Sequence, residues 1–334
     1  MIDAFTKPVS LRWGILSTAR INRALIPPLQ NSKRNELRGV ASRDPVRART
    51  YASEWHIPNA YAGYQALLDD PDIDVVYNPL PNHLHAEWTI QAVRAGKHVL
   101  CEKPLALSLD EVDAIARAAH ENQRVVSEAF MYRHHPQTIK VKDLVDSGAI
   151  GKVQVVNGSF TFKLTDPTDV RMIPEMGGGS VWDVGCYPIS YARWVIGDEV
   201  EEAFGWQVSG ITGVDEVFTG QLRFPGDVLV QFDCGIRSPY RTRMEIVGNE
   251  GSVTIPNPFK PGDNEKIILS RGEKIENIAI SGQELYIGEV EDMADCILTG
   301  KSPRVTLADS RNNVATILAL LESARSGKPV LLNG

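Results

Sequence analysis

The residues placed to do chemistry begin with Glu102-Lys103-Pro104. They close an apolar run, Val99-Leu100-Cys101, that reads as a buried strand of a parallel sheet. Ligands of open α/β sheets bind beyond the carboxyl ends of the strands, so Lys103 is expected where chemistry is done. Pro104 fixes its own φ and biases Lys103 toward extended backbone, which aims the ammonium. The competing reading is a solvated lysine in a turn, and Lys-Pro alone does not separate the two.

Two further stretches have the chemistry to hold a nucleotide. Leu11–Leu16 looks like a first strand and runs into Ser17-Thr18-Ala19-Arg20-Ile21-Asn22 and a helix. A dinucleotide fingerprint sets glycines here, so that backbone amides approach a pyrophosphate at the helix N-terminus. This turn aligns as Ser17-x-Ala19-x-x-Asn22 and lacks all of those glycines, although its position is correct and Ser17 and Thr18 could add hydroxyls. At the end of the second strand an acid would bind the ribose hydroxyl of NAD, whereas arginine accommodates the phosphate of NADP. Ser42-Arg43 stands there, so NADP is favoured and NAD stays possible. Asp44 with Pro45 behind it reads as a helix cap.

The elements that must position these residues alternate. Strands are expected at 36–41, 74–77 and 125–129, with a helix over 83–95 that exits at Gly96 and another opened by the capping box Ser108-Leu109-Asp110-Glu111. Pro27-Pro28 is expected to break or kink the first helix. This alternation predicts an α/β, doubly wound parallel sheet, a Rossmann domain over 1–130. From 131 to 334 the pattern changes. Gly177-Gly178-Gly179 precedes a helix over 180–196, strands fall at 153–162, 203–209, 218–224, 228–234, 243–247 and 251–255, and helices at 284–298 and 307–326 close the chain. That pattern predicts an α+β domain with a largely antiparallel sheet.

A chain of 334 residues exceeds one ordinary core, so about two domains are expected. A net charge of −7 argues against nucleic acid or an anionic membrane as partner. Met1-Ile2-Asp3-Ala4-Phe5-Thr6-Lys7 has no basic region followed by an apolar core, so no secretory signal is expected, and no apolar run is long enough to span a bilayer. Cys101, Cys186, Cys234 and Cys296 are far apart and read as reduced thiols of a cytoplasmic protein. His83-x-His85 and His134-His135 lack acid or cysteine partners at ligand spacing, so no metal is expected.

Taken together, the motifs resemble the glucose-fructose oxidoreductase / inositol dehydrogenase / rhizopine-catabolism (Gfo/Idh/MocA) family. The resemblance rests on Glu102-Lys103-Pro104, Asn78-Pro79-Leu80-Pro81-Asn82-His83-Leu84-His85, Glu128-Ala129-Phe130-Met131-Tyr132-Arg133 and Gly177-Gly178-Gly179-Ser180-Val181-Trp182-Asp183-Val184-Gly185-Cys186-Tyr187, in that family's order along most of the chain. It implies that Lys103 lies between nicotinamide and substrate, and that Pro79, Asn82, His83 and Glu102 join Ser17, Thr18, Ala19, Arg20, Ile21, Ser42 and Arg43 around the cofactor. It also implies that the glycine-rich helix supplies Asp183 and, four residues on, Tyr187, a spacing that puts both on one helix face. Tyrosine rather than histidine at the second position resembles the xylose dehydrogenase and dimeric dihydrodiol dehydrogenase branch. Arg133 and His134 are candidates to touch substrate, or else to pack between domains. Tyr191 and Trp194 continue the helix stripe and are expected in the core. A homo-oligomer, dimer or tetramer, is implied by the family.

Hydride exchange with an alcohol needs a group to take the hydroxyl proton. Free tyrosine titrates near ~10, so Tyr187 needs a neighbouring cation, and Lys103 is expected to supply it. Lys103 as the proton carrier itself is the close alternative. The expected activity is an NADP(H)-dependent oxidoreductase acting on a sugar or polyol. A trans-dihydrodiol dehydrogenase, which needs a more apolar pocket, and a non-catalytic NADP(H) sensor are its rivals.

Overall fold

The computed structural model describes residues 10–332; the stretch Met1–Lys7 read above for a signal lies outside them. Residues 10–105, 110–131 and 286–307 form one compact unit, and 106–109, 132–285 and 308–332 form another.

The first unit runs β1 (Leu11–Leu16), α1 (Asn22–Asn31), β2 (Asn35–Ser42), α2 (Pro45–Glu54), β3 (Asn59–Ala62), α3 (Tyr64–Leu68), β4 (Val75–Asn78), α4 (His85–Arg94), β5 (His98–Glu102), α5 (Leu109–Glu121) and β6 (Val126–Ala129). Its sheet has the order β3-β2-β1-β4-β5-β6, with neighbours parallel. That is the dinucleotide-binding order, and the order reverses between β1 and β4. Strands covered on both faces need apolar residues on both, which is why Val75-Val76-Tyr77 and Val99-Leu100-Cys101 are buried without a break.

Three expectations change here. The short edge strand β3 and the five-residue α3 were not foreseen, because Asn59-Ala60-Tyr61-Ala62 is mostly exposed and shows no apolar alternation. Pro27 and Pro28 do not break α1. Both sit inside it, and burial of Leu25, Ile26, Pro28 and Leu29 outweighs the two missing amide donors. The helix Ile287–Thr299, assigned above to the domain 131–334, belongs to the first unit. Its Val290, Met293 and Ala294 join Trp13, Leu25, Ile26 and Tyr77 in one core. An amphipathic pattern says that a helix has a face to bury but not which sheet will cover it.

The second unit comprises α6 (Pro136–Asp146), β7 (Val153–Lys163), a π-helical turn (Val181–Gly185) continuing as α7 (Cys186–Ile196), β8 (Glu202–Ser209), β9 (Asp215–Phe224), β10 (Val228–Gly235), β11 (Arg237–Gly248), β12 (Ser252–Ile255), β13 (Asn264–Arg271) and β14 (Lys274–Ser281). After the helix of the first unit, α8 (Ile287–Thr299), come α9 (Leu307–Ser326) and β15 (Val330–Leu331). The sheet order is β14-β13-β12-β11-β7-β10-β9-β8-β15; β7 and β10 are parallel and the other pairs antiparallel. β13 and β14 were not foreseen because most of their residues are solvated, which erases the alternation that marks a strand. One face is covered by helices, with Gly205 N donating to Ser323 Oγ of α9 at 3.1 Å. The register aligns Trp206, Thr219, Asp233, Ser159 and Arg243 across the other face, where they help line an open hollow of about 430 Å³.

Candidate active site

In the first unit the sequence-selected residues gather at the carboxyl ends of the strands. Ser17 follows β1 with φ 75°, the left-handed region a fingerprint glycine would occupy. Its amide donates to Ala41 O at 2.9 Å, and Asn22 Nδ2 donates to its carbonyl at 3.0 Å, so the turn is stapled to β2 and to α1. Among the described residues Ser17 Oγ is buried without a hydrogen-bond partner, and no side chain caps the N-terminus of α1. Thr18, Ala19 and Ile21 are half-buried and Arg20 exposed. An orphaned hydroxyl below an uncapped helix N-terminus is a setting that fits a phosphate.

Arg43 stands exposed at the end of β2. Burial raises the Tyr64 phenol, and the nearby Arg43 guanidinium partly offsets this. Asp44 is the cap the sequence suggested, accepting from Val46 N at 2.8 Å and Arg47 N at 3.3 Å, so its carboxylate is engaged in opening α2.

After β4, buried Asn78 shapes the loop through Pro79: Nδ2 donates to His85 O and Thr89 Oγ1, both at 3.1 Å, and Oδ1 accepts from Leu80 N. Asn82 and His83 form a short 3-10 turn, and His83 Nδ1 is buried without a hydrogen-bond partner among the described residues. His85, quoted above only inside a motif, is the side chain that joins this loop to the lysine loop. Its ring nitrogens lie 2.6 Å from Leu80 O and 2.7 Å from Pro104 O. Burial pushes its pKa down to about 4, so the ring is neutral at pH 7 and donates to only one of these carbonyls. The second histidine of the motif was the signal, but spacing does not reveal which loop it bridges.

Glu102 and Lys103 follow at the end of β5, and the Lys103–Pro104 peptide is cis. Glu102 Oε1 accepts from Tyr77 Oη at 2.6 Å and Oε2 from Lys103 N at 3.2 Å. Glu128, fully buried on β6, accepts from Leu105 N at 2.9 Å and braces the far side of the same turn. From α8, Tyr286 and Glu289 face Glu102 electrostatically, and burial raises both of their pKa values.

In the second unit Asp183 lies in the π-helical turn and Tyr187 in the first turn of α7. The turn is wide because Cys186 N donates to Val181 O, five residues back. Asp183 Oδ2 accepts from Arg171 Nε at 2.8 Å, and Arg171 Nη1 also reaches Asp169 Oδ1 at 3.1 Å. Arg171 escaped the sequence reading, since nothing in Asp169-Val170-Arg171 marks a contact twelve residues on. The glycines bring the two together: Gly179 N donates to Arg171 O and Gly178 N to Ile173 O. A Cβ on Gly178 would stand 2.6 Å from Arg171 O.

Tyr187 is buried in an aromatic cluster, with ring centroids 5.3 Å from Phe160, 5.5 Å from Phe259 and 5.8 Å from Tyr132. Tyr191 is core, stacked on Tyr132. Trp194 is half-buried under the Arg133 guanidinium, 5.0 Å away. Arg133 itself is buried, donating to Asp309 Oδ2 at 3.0 Å and to Ser190 Oγ at 3.3 Å, so its charge is balanced within the unit. His134 is buried and its carbonyl accepts from Gln283 Nε2; His135 caps α6 through Gln137 N. None of the four cysteines forms a disulfide.

Comparison with known proteins agrees with this architecture. Residues 11–130 match the family described as an oxidoreductase family with an NAD-binding Rossmann fold, and 138–254 match the GFO/IDH/MocA C-terminal domain. The chain belongs to the Gfo/Idh/MocA family, and is an NAD(P)-binding oxidoreductase. It is 36% identical to D-xylose 1-dehydrogenase (NADP(+)) 2 of Haloferax volcanii, over 97% of this chain and 100% of the relative. It is 33% identical to trans-1,2-dihydrobenzene-1,2-diol dehydrogenase of Danio rerio, over 95% and 96%. Among solved structures it resembles KijD10, a 3-ketoreductase from Actinomadura kijaniata crystallised with NADP and TDP-benzene, with a TM-score of 0.89 and 30% identity over 94% and 98%. No helix among the described residues is long and apolar enough to cross a membrane.

Proposed function

We propose that the chain is an NADP(H)-dependent dehydrogenase or reductase acting on an alcohol or carbonyl of a sugar or polyol. The observation that carries this reading is Asp183, held as a hydrogen-bond acceptor by Arg171, one helical turn from Tyr187. A protein that only bound the nucleotide would not need that pair. The relative that is a D-xylose dehydrogenase points the same way.

The orphaned Ser17 Oγ and the uncapped N-terminus of α1 suit the cofactor's pyrophosphate, and exposed Arg43 suits a 2′-phosphate. When bound, the nicotinamide exchanges a hydride with the substrate carbon. Tyr187 then takes the hydroxyl proton in oxidation and returns it in reduction. The Lys103 ammonium stabilises negative charge developing on the substrate oxygen. Asp183 accepts a hydrogen bond from a neighbouring substrate hydroxyl, which fixes the carbon presented. Reduced-nicotinamide fluorescence, with NADP⁺ and NAD⁺ against D-xylose, other aldoses, inositols and trans-dihydrodiols, tests the reading. Turnover of a sugar with NADP⁺, reduced by roughly 10²–10⁴-fold in Tyr187→Phe, is expected. Turnover with NAD⁺ alone would overturn the assignment of Arg43, and silence despite tight NADPH binding would favour a sensor.

A specific observation favours a second reading. The relative of Danio rerio named for trans-dihydrodiol dehydrogenation is 33% identical over nearly the whole chain, close to the 36% of the xylose dehydrogenase, which supports a trans-dihydrodiol as substrate. The same panel separates the two by their kcat/KM values. We also infer a homo-oligomer formed through the open face of the nine-stranded sheet, where Trp206 and Leu229 are exposed. Light scattering that returned a monomer at micromolar concentration would refute it.

A further inference from the structure

We propose that Asp215 is a positioning residue for the reaction, clamping the first turn of the helix that carries Asp183 and Tyr187. The inference rests on the roles given to those two residues above. Ser180, which precedes the π-helical turn, makes no side-chain cap to its own helix. The cap comes instead from β9, 35 residues further along the chain: Asp215 Oδ2 accepts from Ser180 Oγ at 2.6 Å and from Val181 N at 2.8 Å. The backbone is pressed against this carboxylate, since Gly179 has φ 116° and a Cβ there would lie 2.1 Å from Asp215 Oδ1. Gly179 O in turn accepts from Asp183 N at 3.1 Å. One residue therefore meets the Asp215 carboxylate on one side and the amide of Asp183 on the other.

The groups facing Asp215 are neutral donors. Besides Ser180 and Val181 there is Cys234 of β10, whose Sγ is 3.6 Å from Ser180 Oγ. Burial and the Asp215 carboxylate keep that thiol protonated, and Cys186 and Asp233 act on it in the same direction. With no cation among these partners, burial pushes the Asp215 carboxyl up to about 6 despite its hydrogen bonds. Hydrogen bonds to a carboxylate are roughly twice as strong as those to the neutral acid, so the clamp weakens as pH falls through that value. The helix turn should then loosen and the orientation of Asp183 with it.

Asp215→Asn keeps the shape, retains an acceptor oxygen and cannot titrate. In the parent, kcat for the best sugar or diol with NADP⁺ should fall below about pH 6, and the protection of the amides in residues 181–185, with exchange corrected for its intrinsic dependence on pH, should fall over the same range. In Asp215→Asn the step near pH 6 should vanish from both, leaving in kcat only the limb set by Tyr187, with kcat at pH 8 lowered several-fold and KM for NADP⁺ unchanged. Ser180→Ala, which removes one of the two bonds, should move both readouts the same way by less, and stands in if the asparagine variant fails to fold. An acid limb and exchange profile that persist unchanged in these variants would overturn the clamp. Looser exchange with unaltered kcat would overturn its link to the reaction. If Tyr187→Phe also left kcat unaltered, the role of Tyr187 would be at fault instead.

Discussion

Replacing Glu289 by glutamine should stabilise the protein, and the gain should grow as pH rises. Glu289 exposes 1% of its surface, and neither carboxyl oxygen has a hydrogen-bond partner among the described residues. The charge nearest in effect is Glu102, of the same sign, and burial is the larger influence; both drive its pKa well above the ordinary carboxyl value. A carboxylate that is buried, unpaired and beside another acid keeps its proton. The folded protein therefore holds a proton that the unfolded chain has released once pH exceeds about 4.3. Stability changes with pH in proportion to protons bound by the unfolded state minus those bound by the folded state, here minus one. Folding stability thus falls by about 1.4 kcal/mol for each pH unit above the unfolded pKa, until the folded pKa is reached. Glutamine has the same shape and no proton to hold, so it lacks this loss. Below about pH 4 the two proteins should differ little, and above it the advantage of Glu289→Gln should grow by about 1.4 kcal/mol per pH unit until the folded pKa is reached. Hydrogen exchange of the β1 and β4 amides at matched pH reads the first unit directly, because intrinsic exchange rates cancel between parent and variant. A difference that stays constant with pH would mean that Glu289 is ionised in the folded protein, and the argument would fail.

Three further outcomes follow from the same unit-by-unit chemistry. Ser17→Gly relieves a left-handed residue worth roughly 1–2 kcal/mol against roughly 0.5–1 kcal/mol of added chain entropy, so the thermal midpoint without cofactor should rise slightly. The same variant should bind NADPH more weakly by fluorescence titration, because the orphaned hydroxyl is gone. His85→Phe cannot donate to Leu80 O or Pro104 O and should cost about 1–3 kcal/mol in urea denaturation. It should also lower kcat through the Lys103 loop. Arg171→Met removes the ion pair that Arg171 makes with the part-buried Asp183 carboxylate. Steady-state assays should show kcat/KM down by about 10–100-fold, a loss of about 1.4–2.8 kcal/mol in transition-state binding; an unchanged value would refute the role of that pair.

Local chemistry made much of this protein legible in its sequence. Apolar runs ending in Glu102-Lys103-Pro104, the Asp44-Pro45 cap and the Gly96 helix exit depend on neighbours a few residues away, and each stands where expected. The order of motifs along the chain was enough to place it in its family. What escaped depends on contacts distant in sequence. Asn59-Ala60-Tyr61-Ala62 becomes a strand because β2 offers an edge to pair with, and Pro27-Pro28 stay helical because a core lies beneath them. Ile287–Thr299 covers the first sheet rather than the second because of which apolar surface it meets.

The same division runs through the site. The sequence by itself singled out the residues proposed to carry chemistry, Lys103, Asp183, Tyr187, Ser17 and Arg43, because residue type and short spacing define what a side chain can donate, accept or stabilise. The tertiary structure alone decided what holds them: Arg171 on Asp183, His85 between two loops, Asp215 on the helix turn and Glu289 facing Glu102. Burial and hydrogen-bond partners arise only when distant segments meet, and those two quantities set both the orientation of a reactive group and whether it keeps its proton.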